Sequence, residues 1–304
     1  MVLRLQTLSE KHLPESQCGF RPGRGTTDMI FTLRQIQEKC REQILPLYIC
    51  FIDFRKAFDS VPRDMLWRVL GRYGCPGKFI NIIKLFHEGM EAQVMIGGEL
   101  SDTFPVTNGV KQGCTLAPTL FALYLAAVLE VAKKDRPAEG VWLRTRQDGN
   151  LFNLRRLSAK AKVEEVCVQE LMYADDSAFV AHSEAELQRT FNSFSAAAAD
   201  FGLTINASKT EVMFQSPPST EYLDPTINFN GNPLPTTKSF TYLSSTVTHD
   251  ASLDNEISKR IQAAYSSFAR LRDRLWHRHG VKLSTKIAVY RAVILPTLLY
   301  STVL

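Results

Sequence analysis

Two short apolar runs, Leu171–Tyr173 and Ala178–Ala181, flank a pair of adjacent aspartates, Asp175 and Asp176. Runs of that length around a polar bend predict a β-hairpin with its acids at the tip. The pair constrains the fold strongly, because like charges so close repel. A site that keeps both ionised needs a strong counter-charge, and hard divalent cations with oxygen ligands are the usual one. Taken alone, Asp-Asp is also what an ordinary solvated turn looks like. The rest of the chain has to decide between the two.

With 304 residues, 45% hydrophobic and 22% charged, the chain is long enough for a large core plus a second subdomain. No apolar run approaches the ~20 residues of a membrane span, so no membrane partner is expected. The first residues, Met1-Val-Leu-Arg-Leu-Gln6, lack a signal-peptide core. This suggests an intracellular protein, with nucleus and cytoplasm both open and no targeting signal read. The six cysteines form no C-x-x-C pair and the six histidines do not cluster around them, so neither zinc nor a disulfide framework is expected. Charge is uneven: residues 251–304 carry nine Lys or Arg against three acids, net +6, whereas the preceding part sums to −1. That asymmetry fits a polyanion partner for the C-terminal part, and equally a solvated basic face.

Along the chain, a Gly-, Pro- and Arg-rich opening, Pro14–Asp28, gives way to a helical pattern at Met29–Cys40. Leu47–Asp53 is a continuous apolar run ending in an acid, the pattern of a buried strand presenting a carboxylate. Helical patterns follow at Arg63–Tyr73 and Lys78–His87, and Gly97-Gly98 marks a hairpin. The polar loop Asn108–Pro118 feeds an apolar helix over Thr119–Val131. Val141–Arg144 and Leu151–Leu154 predict a further hairpin around Gln147–Asn150. A capping box at Ser183–Glu186 opens a helix that Gly202 ends. Leu203–Asn206 and Glu211–Phe214 are strand candidates around Lys209, and Asn230-Gly231 is another hairpin signal. Near the C-terminus, Ile257, Ile261, Tyr265, Phe268, Leu271 and Leu275 form one apolar stripe, with Arg260, Arg270, Arg274 and Arg278 off it. A second helix over Ser284–Leu295 should stop at Pro296. Asp59 reads as the cap of the helix that follows it.

Six segments stand in an order that resembles the reverse transcriptases of non-LTR (LINE-type) retrotransposons: Gln17-Cys-Gly-Phe-Arg21, Phe51-Ile-Asp-Phe-Arg-Lys-Ala-Phe-Asp59, Asn108-Gly-Val-Lys-Gln-Gly113, Tyr173-Ala-Asp-Asp176, Gly202-Leu-Thr-Ile-Asn-Ala-Ser-Lys-Thr210 and Phe240-Thr-Tyr-Leu243. Each is weak alone, and together they cover most of the chain. The resemblance implies an α+β right-hand polymerase fold, with an antiparallel palm sheet, packed helices and a helical thumb. Partial fingers would occupy residues 1–46. The palm, with interleaved finger segments and a primer-grip hairpin at about 226–247, would occupy 47–250, and a basic, truncated thumb 251–304.

The implied function is RNA-directed DNA polymerase, a nucleotidyltransferase joining dNTPs to a DNA primer on an RNA template. Asp53, Asp175 and Asp176 would serve two Mg²⁺ ions. Lys209 would protonate pyrophosphate, though outside its motif it reads as a surface lysine. Gln112 and Gly113 would shape the nucleotide pocket and Phe58 would lie under the sugar, where a core phenylalanine is the alternative. Arg21 is placed with the substrate. Arg55 and Lys56 either touch phosphates or are solvated. Phe240, Tyr242 and Leu243 would grip the primer, and Arg270, Arg274 and Arg278 would meet the duplex backbone. In-line attack on an α-phosphate calls for two metals ~4 Å apart, and Asp53 and Asp175 lie 122 positions apart, so only folding can unite them. The relatives' upstream finger motif is not seen, and Tyr242-Leu-Ser244 stands where Tyr-Leu-Gly is common. The competing expectation is therefore an inactive, truncated remnant that only binds nucleic acid. A palm-type nucleotide cyclase has no use for the basic helical tail.

Overall fold

In the computed structural model, which describes residues 1–134, 139–146 and 163–300, the run before Asp53 is strand β1 (Leu47–Ile52). It belongs to a four-stranded antiparallel sheet of order β10 (Glu211–Gln215), β1, β9 (Asp176–Ala181) and β8 (Glu170–Tyr173). A strand without polar alternation needs cover on both faces, and β1 has it. Cys50 and Ile52 join one buried cluster with Leu66, Tyr124 and Phe194, whereas Leu47, Ile49 and Phe51 join another with Ile30, Leu33 and Val247.

Helices α6 (Ala117–Lys133) and α7 (Glu184–Asp200) cover the first face. Thirteen of the 17 residues of α6 are buried, the burial of a helix enclosed by protein on nearly every side. Packed around it are α1 (Val2–His12), α3 (Ala57–Ser60), α4 (Arg63–Arg72) and α5 (Gly77–Leu85). At the start of α7 one half of the expected capping box is present: Ser183 Oγ accepts from the Glu186 N–H at 3.3 Å. The second face carries α2 (Thr26–Glu42) and the hairpin of β13 (Ser239–Tyr242) and β14 (Ser245–Thr248). Arg34 donates to Ser245 Oγ at 3.0 Å, and Gln37 Nε2 to the Thr248 carbonyl at 2.8 Å, joining helix to hairpin.

The smaller ribbons are β2 (Glu91–Ala92) with β5 (Phe104–Pro105), β3 (Met95–Ile96) with β4 (Glu99–Leu100), β6 (Val141–Arg146) with β7 (Val163–Val168), and β11 (Asn228–Phe229) with β12 (Asn232–Pro233). Both glycine-marked hairpins are present: Gly97 and Gly98, like Asn230 and Gly231, have positive φ. The partner of Val141–Arg144 is β7; Leu151–Leu154, the expected one, lies outside the described residues. Leu203–Asn206 is not a strand: it touches the sheet through one bridge, Phe54 to Ile205, and its polar backbone turns back on Asp53. Asp59 does not cap α4, whose N-cap is Pro62; it sits inside α3.

After β14 the chain forms α8 (Asp254–Arg270), a π-turn at Arg272–Trp276, α9 (Leu283–Val289), a second π-turn at Tyr290–Ile294, and α10 (Leu295–Leu298). Pro296 sits in the first turn of α10, where its missing N–H costs nothing, so the helical path continues past it. The apolar stripe of α8 is not a core face. Ile257, Ile261 and Tyr265 are 52, 57 and 73% exposed, and within α8 only Glu256 and Ala264 are buried. The α-helical register ends at Arg270 and the π-turn begins at Arg272, so Leu271 and Leu275 do not continue the stripe. Among the described residues, no helix is long and apolar enough to cross a membrane.

Candidate active site

The acids meet through strand register. Tyr173 pairs with Asp176, leaving Ala174 and Asp175 as a two-residue loop between β8 and β9. Ala174 has φ +58 and Asp175 a negative φ, the pattern of a II′ turn that follows strand twist. On the other side of β9, Ile52 pairs with Ser177. Asp53 and Asp176 are the residues next after that pair, at the same end of the two strands.

Their charges feel one another. Burial pushes the Asp175 carboxyl above the usual carboxylate range and the Asp53 charge pushes the same way. Asp176 is pushed up to about 6, first by desolvation and then by Asp175 and Asp53. Asp176 still keeps a solvent-exposed surface, so the residue is not part of the core.

Two amides outside the acidic motifs hold this arrangement. Asn206 Nδ2 donates to Asp53 Oδ2 at 3.0 Å and the Asn206 N–H donates to the Asp53 carbonyl at 2.8 Å. The Gln17 carboxamide does the same for the hairpin: Oε1 accepts from the Ala174 N–H at 3.0 Å and Nε2 donates to the Ala174 carbonyl at 3.2 Å. Sequence reasoning gave neither residue a role. Each lies inside a quoted motif, and an isolated amide has no periodicity to betray it.

The remaining residues fall into groups. Phe58, half-buried in α3, stacks on Phe121 at 4.5 Å, and its carbonyl accepts from the Val110 N–H at 2.9 Å. That bond brings the Asn108–Gly113 loop to α3. At Gly109 (φ +82) an added Cβ would lie 2.6 Å from Asp59 Cα, so only glycine fits. Gln112 and Gly113 are exposed beyond that contact. Lys209 is exposed in the turn that places Asn206 on Asp53. Arg55 and Lys56 are exposed next to β1, with Lys56 at φ +50.

Arg21 binds the protein itself. Its guanidinium is buried, bound to both oxygens of Glu10 at 3.2 and 2.8 Å and to the Pro14 and Gln17 carbonyls at 2.9 and 3.1 Å. Those bonds occupy the fork that a phosphate would need, and Arg21 serves to anchor the loop that carries Gln17.

Phe240 and Tyr242 face inward. Phe240 stacks on Phe51 at 4.0 Å, and Tyr242, 2% exposed, donates to the Leu171 carbonyl at 3.3 Å. Leu243, at the turn, is half-buried and its carbonyl accepts from Tyr300 Oη at 3.1 Å. Arg270, Arg274 and Arg278 are exposed.

Carboxylate oxygens are the hard donors a divalent cation such as Mg²⁺ takes, and in chemistry Asp53, Asp175 and Asp176 fit one. Among the described residues, no three side chains already converge as metal ligands.

Fold and site together define an α+β chain that concentrates carboxylates where an antiparallel strand meets a tight hairpin. The family described as reverse transcriptase (RNA-dependent DNA polymerase) matches residues 1–247, and the chain belongs to it. The RNA-directed DNA polymerase from mobile element jockey of Drosophila melanogaster is 24% identical over 297 residues, 95% of this chain and 29% of that protein. The uncharacterized 149 kDa protein of transposon TX1 from Xenopus laevis is 26% identical over 223 residues, 73% of this chain and 16% of that protein. The chain thus spans less than a third of the length of these relatives, and its kinship is with the reverse transcriptases of non-LTR retrotransposons. Apo telomerase from Candida tropicalis, truncated from its C-terminal domain, shares the fold with TM-score 0.52 at 14% identity, covering 81% of this chain and 43% of that one.

Proposed function

We propose that the chain is an RNA-directed DNA polymerase domain that transfers a nucleotide from a dNTP to the 3′-hydroxyl of a DNA primer paired to an RNA template. The observation that carries this reading is that β1 and β9 pair up to Ile52 and Ser177, so that Asp53 and Asp176 follow at the same end and the Asp53 charge acts on both Asp175 and Asp176. Asp53 and Asp175 would hold two Mg²⁺ ions with Asp176 adjacent; when bound, the ions lower the pKa of the attacking hydroxyl and neutralise the leaving oxygens. The residues of the chain do the rest. Asn206 fixes the Asp53 carboxylate, and the loop held at Phe58 presents Gln112 and Gly113 beside the nucleotide. Phe58 limits the space at the sugar, and the exposed Lys209 can give a proton to the departing pyrophosphate. Residues 1–46 and the interleaved middle act as fingers, the four-stranded sheet as palm, β13–β14 as primer grip, and the basic segment from 251 as thumb.

The test is primer extension on poly(rA)/oligo(dT) with Mg²⁺, wild type against Asp175→Asn. Loss of one anionic ligand removes cation affinity and charge neutralisation together, so extension should vanish while primer-template binding persists. Extension at near wild-type rate by the variant would exclude this site. Binding without extension by the wild type would favour a domain that only holds nucleic acid.

A further inference from the structure

Asp175 and Asp176 depend on a turn whose backbone an alanine does not favour. Ala174 stands at φ +58, a conformation disfavoured for any residue with a Cβ, so something outside the hairpin must hold it there. What touches it is Gln17. This side chain is 2% exposed, comes from a segment 157 positions away, and brackets Ala174 by bonding both its N–H and its carbonyl. The same Oε1 accepts from the Gly19 N–H at 2.8 Å, which fixes the rotamer of the amide.

The loop carrying Gln17 is itself tied down. Ser16 and Cys18 flank Met172 of β8 like a short added strand: the Cys18 N–H donates to the Met172 carbonyl and the Met172 N–H to the Ser16 carbonyl, both at 2.9 Å. Gly19 passes so close that an added Cβ would lie 2.2 Å from Ala174 N. Arg21 then locks the loop onto Glu10. A glutamine is the side chain suited to this place, since it supplies one acceptor and one donor to the two ends of a single residue.

We infer that Gln17 is the positioning residue of the acidic hairpin: its carboxamide holds Ala174 in the left-handed region and so aims Asp175 and Asp176 at a divalent cation. The inference rests on reading those acids as the cation site, and it adds that their geometry is imposed from outside the hairpin. Gln17 touches no substrate; it acts through the turn.

The experiment compares wild type, Gln17→Met, Ala174→Gly and the double variant in two measurements that need no polymerase activity. One is Mn²⁺ affinity by calorimetry, with Mn²⁺ standing in for Mg²⁺; the other is amide exchange at Ala174, against Cys50 in the middle of β1 as control. Methionine keeps the volume and removes both bonds to Ala174, together with the one from Gly19. We expect Gln17→Met to weaken Mn²⁺ about tenfold and to speed exchange at Ala174 by at least as much, with Cys50 unchanged. Ala174→Gly, which needs no outside force to stay left-handed, should restore much of the Mn²⁺ affinity in the double variant, a rescue that a merely packed glutamine would not show. Should Gln17→Met fail to fold, Gln17→Asn, one methylene short of bracketing Ala174, carries the same comparison. Unchanged Mn²⁺ affinity in the glutamine variants, or loss of affinity without rescue by glycine, overturns the inference. Failure of the polymerase reading appears elsewhere, as wild type that binds Mn²⁺ normally and extends no primer.

Discussion

Leu243 and Ser244 stand at φ +47 and +65 in the β13–β14 turn, the two left-handed residues that a type I′ turn demands. Neither is glycine. The Ser244 side chain is exposed, and what the turn uses is its carbonyl, which accepts from Arg260. Ser244→Gly should therefore raise stability by about 0.5–1 kcal/mol, the relief of a left-handed Cβ less the extra entropy glycine has when unfolded. The midpoint of urea denaturation measures it. A lower midpoint would mean that the serine side chain contributes more than its backbone costs.

At the scale of elements, α8 is held at its start and its far end meets little of the chain. Glu256 accepts from the Thr246 N–H and from Arg260, each at 2.6 Å, and the Arg260 guanidinium lies 4.7 Å from the centre of the Tyr300 ring. Those contacts join the basic C-terminal part to the turn of β13–β14. Beyond them Arg270, Arg274 and Arg278 stand free of the core, so replacing all three with alanine should leave folding intact. If they meet phosphates, the slope of log K for a primer-template against log salt should flatten by about 0.9 for each phosphate that an arginine no longer neutralises, the value for a B-form duplex. Fluorescence anisotropy over a salt series reads the slope. An unchanged slope would make this a solvated face and nothing more.

For the molecule as a whole, the acidic cluster is a cost that pH reveals. Asp176 titrates at about 6 in the folded chain against the ordinary 3.8. Below the unfolded value the group is protonated in both states and costs nothing. As pH rises through that window the unfolded state ionises first, and stability is lost until the folded carboxyl has ionised too. Asp176→Asn removes that loss, so its melting temperature should match wild type near pH 4 and exceed it increasingly up to about pH 7. Mg²⁺ should narrow the gap at pH 7 by stabilising the wild type more than the variant, which has lost one charge of the cluster and binds the cation less tightly. Scanning calorimetry across pH tests both, and a gap that is constant with pH would show that the Asp176 charge is not what the fold works against.

Much of this was legible in the residues. Leu47–Ile52 has the composition of a doubly covered strand, Ser183 announces a helix start, Asn230-Gly231 a hairpin, and Asp175-Asp176 a charged bend; each follows from local sterics, capping and the burial of apolar groups. Tertiary structure alone decided the rest. That β1 runs antiparallel to β9, bringing Asp53 to the same end as Asp176, is a matter of pairing across more than a hundred residues, to which no local pattern speaks. The use of Arg21 as a clamp, and not a phosphate ligand, depends on Glu10 and two carbonyls that only folding brings near. The stripe on α8 shows the same limit from the other side: periodicity fixes which residues share a helix face, whereas whether that face is covered depends on what packs against it. Gln17 is the sharpest case, since a buried amide acts through two bonds to one distant residue, and those bonds exist only once the chain has closed.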